Sequence, residues 1–178
     1  MNLILLFDRI KNKILKTYRE YIFFKRTGYK ANIVKSITLI NTNLKIGNNV
    51  TIYPDAMFFG DGLIEIGDNV DIGNGTLIYA SKKGGVYIGS NTMIAAQSYI
   101  IDTDHGTEVG KLMCKQSNNT NRIYIGEDVW IAANCTILRG SVINSGAVIG
   151  AKSLVKGTIN KNSIAVGIPA KHKKYRGE

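Results

Sequence analysis

The stretch IGEDVWIAANCTILRGSVINSGAVIGAKSLV (Ile125–Val155) carries a branched aliphatic at every sixth position: Ile125, Ile131, Ile137, Ile143, Ile149 and Val155. Four residues after each of the first five stands a small or β-branched residue: Val129, Cys135, Ser141, Ala147 and Ser153. A helix repeats its apolar face at 3.6 residues and a strand at 2, so a sustained period of six is neither. It is the pattern of a repeat in which each hexad makes one short strand and one corner, with three hexads closing a triangular coil of about 18 residues. The aliphatic residues point inward and stack on their equivalents in adjacent coils, at the strand spacing of about 4.8 Å.

Working back from that stretch, the same period is found upstream. Val34, Ile40, Ile46, Ile52 and Phe58 share one phase. Gly60-Asp61-Gly62 shifts it, and Ile66, Ile72 and Ile78 resume it. Ser81–Gly85 is a turn-rich insertion, after which Ile88, Ile94 and Ile100 continue. Corners are rich in Gly and Asn, the residues that enter left-handed backbone at least cost. The count from Val34 to Val155 is roughly six coils. Period alone does not set the handedness, and the usual crossover rule predicts a right-handed coil.

Two segments do not follow the hexads. Residues 1–30 place Leu3, Phe7, Ile10, Ile14, Tyr18 and Tyr21 at helical spacing, with Arg9, Lys11, Lys13, Lys16 and Arg19 on the other faces. This basic amphipathic helix has two readings: a cap on the open end of the coil stack, or a helix lying on an anionic membrane face. The cap needs nothing further and is preferred, and the two are compatible. The second segment is the polar, aperiodic DTDHGTEVGKLMCKQSNNTNR (Asp102–Arg122), inside a 101–124 loop thrown out from a corner; such loops tend to carry function. The predicted organisation is thus a helix over 1–30, an all-β parallel β-helix over 31–170 with that loop, and a short basic tail over 171–178.

Composition narrows the function classes. The chain has 178 residues, a formal charge of +10 and 19 glycines. Its basic balance suits an anionic partner or a solvated basic surface. Cys114 and Cys135 form no CxxC pair, and Cys135 falls on a small inward position of the repeat. No targeting segment is expected, because the apolar run Leu3–Phe7 is interrupted by Asp8 and Arg9. A cytoplasmic protein is the default, with peripheral contact at the inner membrane face if the helix binds lipid. Nucleic-acid binding is not expected, since no aromatic-interleaved basic groove is present. Nor is a metal: His105 and His172 are the only histidines, too few for a zinc cluster of the kind γ-class carbonic anhydrases build on this repeat.

Three motifs together resemble the hexapeptide-repeat acyltransferases, in particular the small sugar O-acetyltransferases of bacterial polysaccharide synthesis. They are Ile125–Gly157, VGIPAK (Val166–Lys171) and IIDTDHG (Ile100–Gly106). The resemblance implies a left-handed β-helix, against the crossover rule. It also implies a homotrimer with active sites between subunits, acetyl-CoA as donor, and a sugar or glycan acceptor that could be lipid-linked. It places catalysis on His105. A neutral imidazole there can take a hydroxyl proton during attack on a thioester, then return it to the leaving thiolate. Asp102 and Asp104 flank it: one carboxylate would orient the imidazole and the other would bind sugar hydroxyls, and the sequence does not assign which.

Trp130, at an outward position, matches a cleft-lining Trp and is a candidate for substrate binding. Trimer packing is the alternative, and the two overlap. Ala133 and Ala151, one coil apart, match the pantetheine path. Lys156 and Lys171 match residues on the CoA side, although Lys156-Gly157 departs from the Thr-Lys pair usual in the family. The leading expectation is O-acetylation of a sugar. N-acetylation of an amino sugar is the alternative within the same chemistry, and a non-catalytic scaffold is the alternative outside it.

Overall fold

The structure is a computed structural model that describes residues 3–178, with side chains described from Leu5 onward. Met1 and Asn2, at the start of the segment read as helical, lie outside the described residues, as does the side chain of Leu3.

The hexads fold as a left-handed parallel β-helix. Three parallel faces build up by stacking. The first contains Asn32–Ile33, Thr51–Ile52, Asp71–Ile72, Met93–Ile94, Trp130–Ile131, Val148–Ile149 and Ser163–Gly167. The second and third faces hold six strands each, giving six complete coils and one side of a seventh. The left hand overturns the crossover expectation. That rule draws on the twist of sustained strands, and most strands here run only two to four residues.

Each face buries one aliphatic column. On the first face it runs Ile33, Ile52, Ile72, Ile94, Ile131 and Ile149, and on the second Leu39, Phe58, Ile78, Ile100, Ile137 and Val155, all buried. The small residues Val129, Cys135, Ser141, Ala147 and Ser153 are buried at the corners. At the corner between the third and first faces, Asn49, Asn69 and Asn91 have φ of 55°, 56° and 60°. Their amides form a ladder, Asn49 Nδ2 to Asn69 Oδ1 and Asn69 Nδ2 to Asn91 Oδ1, each 3.0 Å.

In the first coil the core phase sits one residue earlier than the hexad reading. Ile33 and Leu39 are buried, Val34 is only half-buried, and Ile40 is 61% exposed. A one-residue shift moves a side chain from one side of a strand to the other. In this coil either of two adjacent apolar residues could satisfy the period, and contacts with the second coil decide between them.

The ends are closed by different devices. The helix α1 (Leu3–Thr27) reaches the first coil through its C-terminal half, where Phe23 is buried. The first coil has no coil above it, so some of its carbonyls would lack donors. Arg19 Nη2 donates to Val34 O at 3.0 Å, and Arg26 Nη2 donates to Leu39 O at 2.5 Å. The capping reading therefore holds, but through Phe23 and two arginines. At the other end, the segment read as a tail is ordered: Ala170–Tyr175 is a strand, antiparallel to Ser163–Gly167, that covers the last edge of the first face. Arg176 Nη1 ties it down, donating to Asp128 Oδ2 at 2.8 Å and Gly146 O at 3.0 Å.

The phase correction has a direct test in urea unfolding. Leu39→Ala should lower stability by about 2–4 kcal/mol, while Ile40→Ala should stay within about 0.5 kcal/mol of the parent. The reverse order would restore the hexad phase.

Candidate active site

The irregular features gather on one edge of the prism, the corner between the second and third faces. In successive coils this corner holds Asn41, Gly60–Gly62, Ser81–Gly85, the long loop, Arg139 and Lys156. The loop leaves the second face after Tyr99–Ile101 and returns into Ile123–Ile125 of the third. At its root Thr103–Asp104 pairs antiparallel with Asn119–Thr120, a two-residue ribbon that the aperiodic sequence did not reveal. Polar residues can hold such a ribbon by backbone hydrogen bonds without a hydrophobic signature.

His105 follows this ribbon directly and is exposed. Beyond it the loop is fastened by Gln116, whose Oε1 accepts the Glu108 N–H at 2.8 Å. Gln116 Nε2 donates to the carbonyls of Glu108 and Lys111, each at 3.0 Å. Gly106 lies against this side chain: a Cβ there would come within 2.7 Å of Gln116 Oε1.

The two aspartates separate clearly. Asp102 is fully buried. Its carboxylate accepts from the Ser81 N–H at 2.9 and 3.0 Å, from Ser81 Oγ at 3.1 Å and from the Gly85 N–H at 2.6 Å. It braces the Ser81–Gly85 turn of the coil above. Asp104 is exposed and faces Arg139, whose Nε lies 2.6 Å from Asp104 Oδ2. Arg139 stands on the same edge one coil below and was not singled out by the hexad pattern. Its only sequence signal is a charge at a repeat corner. It ties down the residue beside His105, so it acts through the loop root.

The other candidates are spread around the prism. Ala133 and Ala151 occupy the corner between the first and second faces, one coil apart, and the Ala133 carbonyl accepts the Lys152 N–H at 2.9 Å. Trp130 projects from the first face, 48% exposed, in register with Met93 and Val148. Lys156 is exposed on the His105 edge, and Lys171 is exposed on the C-terminal strand paired with Val166. Cys135 is buried, and burial pushes its thiol up, away from the thiolate a nucleophile would need.

The parallel β-helix of hexads defines a class, and sequence relationships agree. The family signature "Bacterial transferase hexapeptide (six repeats)" matches residues 122–157. The putative lipopolysaccharide biosynthesis O-acetyl transferase WbbJ of Escherichia coli K12 is 34% identical over 129 residues, 67% of this chain and 65% of its own length. The putative colanic acid biosynthesis acetyltransferase WcaF of the same organism is 30% identical over 128 residues, 71% of this chain and 66% of its own length. The matches therefore span just under two thirds of these relatives. A structure of the N-acyltransferase AntD from Bacillus cereus, a point variant in complex with dTDP-4-amino-4,6-dideoxyglucose and coenzyme A, superposes with a TM-score of 0.73. It is 25% identical, and the superposition covers 83% of this chain and 81% of that one. The chain belongs to the hexapeptide-repeat acyltransferase family.

Asp102→Ala would leave the Ser81 and Gly85 N–H groups without their acceptor. An unsatisfied buried donor costs about 1–3 kcal/mol, so a loss of about 2–4 kcal/mol is expected in urea unfolding. A change below about 0.5 kcal/mol would show that the carboxylate does not hold the turn.

Proposed function

We propose that this chain is an acetyl-CoA-dependent O-acetyltransferase that passes acetyl to a sugar hydroxyl in polysaccharide or lipopolysaccharide synthesis. The observation that carries the reading is the placement of His105 at the root of the one long loop of an otherwise regular β-helix. The neutral imidazole takes the acceptor hydroxyl proton as the oxygen attacks the thioester carbonyl. The tetrahedral intermediate then expels the thiolate of CoA, which takes the proton back from the imidazolium. Backbone N–H groups along the cofactor path offer donors to the developing oxyanion. No acyl-enzyme is needed. The second reading, N-acylation of an amino sugar, is favoured by the likeness to the N-acyltransferase AntD, whose complex contains dTDP-4-amino-4,6-dideoxyglucose and coenzyme A.

The reading includes a trimer. His105 and Lys156 lie on one edge of the prism, Ala133 and Ala151 on another, and Trp130 on the first face. One chain cannot easily close a site around all of them. A neighbouring chain packed against the exposed column of Met93 and Trp130 can supply the missing wall.

His105→Ala should lower acetyl transfer to the acceptor by about a hundredfold or more while leaving CoA binding intact. Thiol release against a panel of sugars and amino sugars checks this and separates the two acceptor readings. Near-parent transfer by the variant would remove the mechanism.

The proposal also places the enzyme at the inner face of a membrane, next to a lipid-linked glycan. No helix among the described residues is long and apolar enough to cross a membrane. The helix α1 is nevertheless two-sided. Arg19, Phe23 and Arg26 meet the coil, while Phe7, Ile10, Ile14, Tyr18 and Tyr21 form an exposed stripe on the other side. Phe7 is 67% and Ile14 63% exposed. The helix carries seven Lys and Arg against Asp8 and Glu20. That charge repels a second copy of itself and suits an anionic bilayer.

The full chain should sediment with vesicles containing phosphatidylglycerol but not with phosphatidylcholine alone. A Phe7→Glu/Ile14→Glu variant of unchanged oligomeric mass should partition about tenfold or more weakly. Equal partitioning of parent and variant, or a changed oligomeric mass in the variant, would overturn the membrane assignment.

A further inference from the structure

We infer that the Ser81–Gly85 turn, with Arg122, is a binding site for a phosphate or diphosphate carried by the acceptor, so that the acceptor is an anionic, phosphorylated glycan. This rests on the reading of the His105 edge as the place of acyl transfer.

The turn itself is the first observation. The Gly84 N–H donates to Ser81 O at 2.9 Å, which closes a four-residue turn with Lys82 and Lys83 at its tip. Both lysines are exposed. Adjacent like charges at a tip repel one another, and neither lysine has an ion-pair partner within 4.0 Å among the described residues.

The second observation is how firmly the turn is held. A fully buried carboxylate, Asp102, is spent on it, accepting from both Ser81 and Gly85. Burying a carboxylate is costly, and here backbone and hydroxyl donors, not a cation, offset the cost. Gly84 permits this: a Cβ there would lie 2.1 Å from Asp102 Oδ2. Asp102 is also three residues before His105, so the same residue fixes the lysine turn and begins the segment that presents the imidazole.

The third observation is Arg122. It stands where the loop returns to the coil, and its guanidinium lies beside the turn: a Cβ at Gly85 would be 3.4 Å from Arg122 Nε and 3.6 Å from Nη2. Arg122 likewise has no ion-pair partner among the described residues. The acids on this edge do not neutralise the three cations. Asp102 is enclosed, Asp104 is taken by Arg139, and Asp61 sits one coil further up with no salt bridge to any of them. Two ammonium groups carried by a firmly held turn, with a forked guanidinium beside it and one coil from the His105 segment, suit a phosphate or diphosphate.

The test uses the full chain and a Lys82→Gln/Lys83→Gln variant, with thermal melts to confirm equal folding. Inorganic pyrophosphate, titrated calorimetrically, should bind the parent and bind the variant about tenfold or more weakly. Absence of binding to the parent, or equal binding to both, overturns the site. In turnover assays, the variant should raise KM for a nucleoside-diphosphate sugar by about tenfold or more with little change in kcat. Its kcat/KM for the same free sugar and its KM for acetyl-CoA should stay within about twofold. An equal loss on the free sugar, or a loss that appears in the KM for acetyl-CoA, also overturns it. Pyrophosphate binding that depends on Lys82 and Lys83, in a protein that acetylates nothing, would uphold the anion site and sink the transferase reading instead.

Discussion

Every strand of this solenoid depends on the coil above or below it. A two-residue strand such as Trp130–Ile131 has no stability alone; it exists because Ile131 lies between Ile94 and Ile149 and its backbone pairs with both neighbours. The aliphatic columns must stay in phase from coil to coil, or a side chain leaves the core. Added residues can therefore be accepted only at corners. In this chain the longest additions fall on a single corner, so one edge of a uniform prism becomes chemically distinct. The stacking that makes the fold repetitive also localises what is not repetitive.

That edge shows how a repeat protein positions a histidine without a conventional scaffold. The long loop is anchored at its root by a two-residue ribbon, below by Arg139 on Asp104, and above by Asp102 under the Ser81 turn. Three successive coils thus share in holding one segment. The Asp104–Arg139 pair is exposed, and such pairs contribute little to stability. Its importance lies in where it holds the loop root. The Asp102 contacts are buried and hydrogen-bonded throughout, which is where polar interactions have the most leverage.

The open ends impose a different requirement. A stack of coils ends in unpaired backbone and exposed aliphatics at both extremities. The N-terminal end is closed by a helix that lends two arginines to otherwise free carbonyls and inserts Phe23 over the column. The C-terminal end is closed by a reversed strand. The first device leaves the helix with a whole apolar side unused, and that surplus is why a surface role for it arises at all.

The hexads made the coil legible from Ile125–Val155 onward, because a period of six in branched aliphatics closes as a triangular coil and each inward residue announces itself, while the hand of the coil stayed open. The loop could be seen as an interruption, and His105 as the histidine within it. The sequence left undecided whatever depended on which of two neighbouring residues faces inward, as with Leu39 and Ile40, since local pattern is equally satisfied by either. It could not distinguish Asp102 from Asp104, because partners 17 to 35 residues away in the chain decide that one is enclosed and the other paired. It gave no reason to notice Arg139 or to join Lys82, Lys83 and Arg122. Their proximity follows from the coil pitch and the return of the loop. Sequence by itself determined the repeat and its polar interruption; tertiary structure decided orientation and partnership, since these depend on contacts between coils and periodicity records only contacts within one.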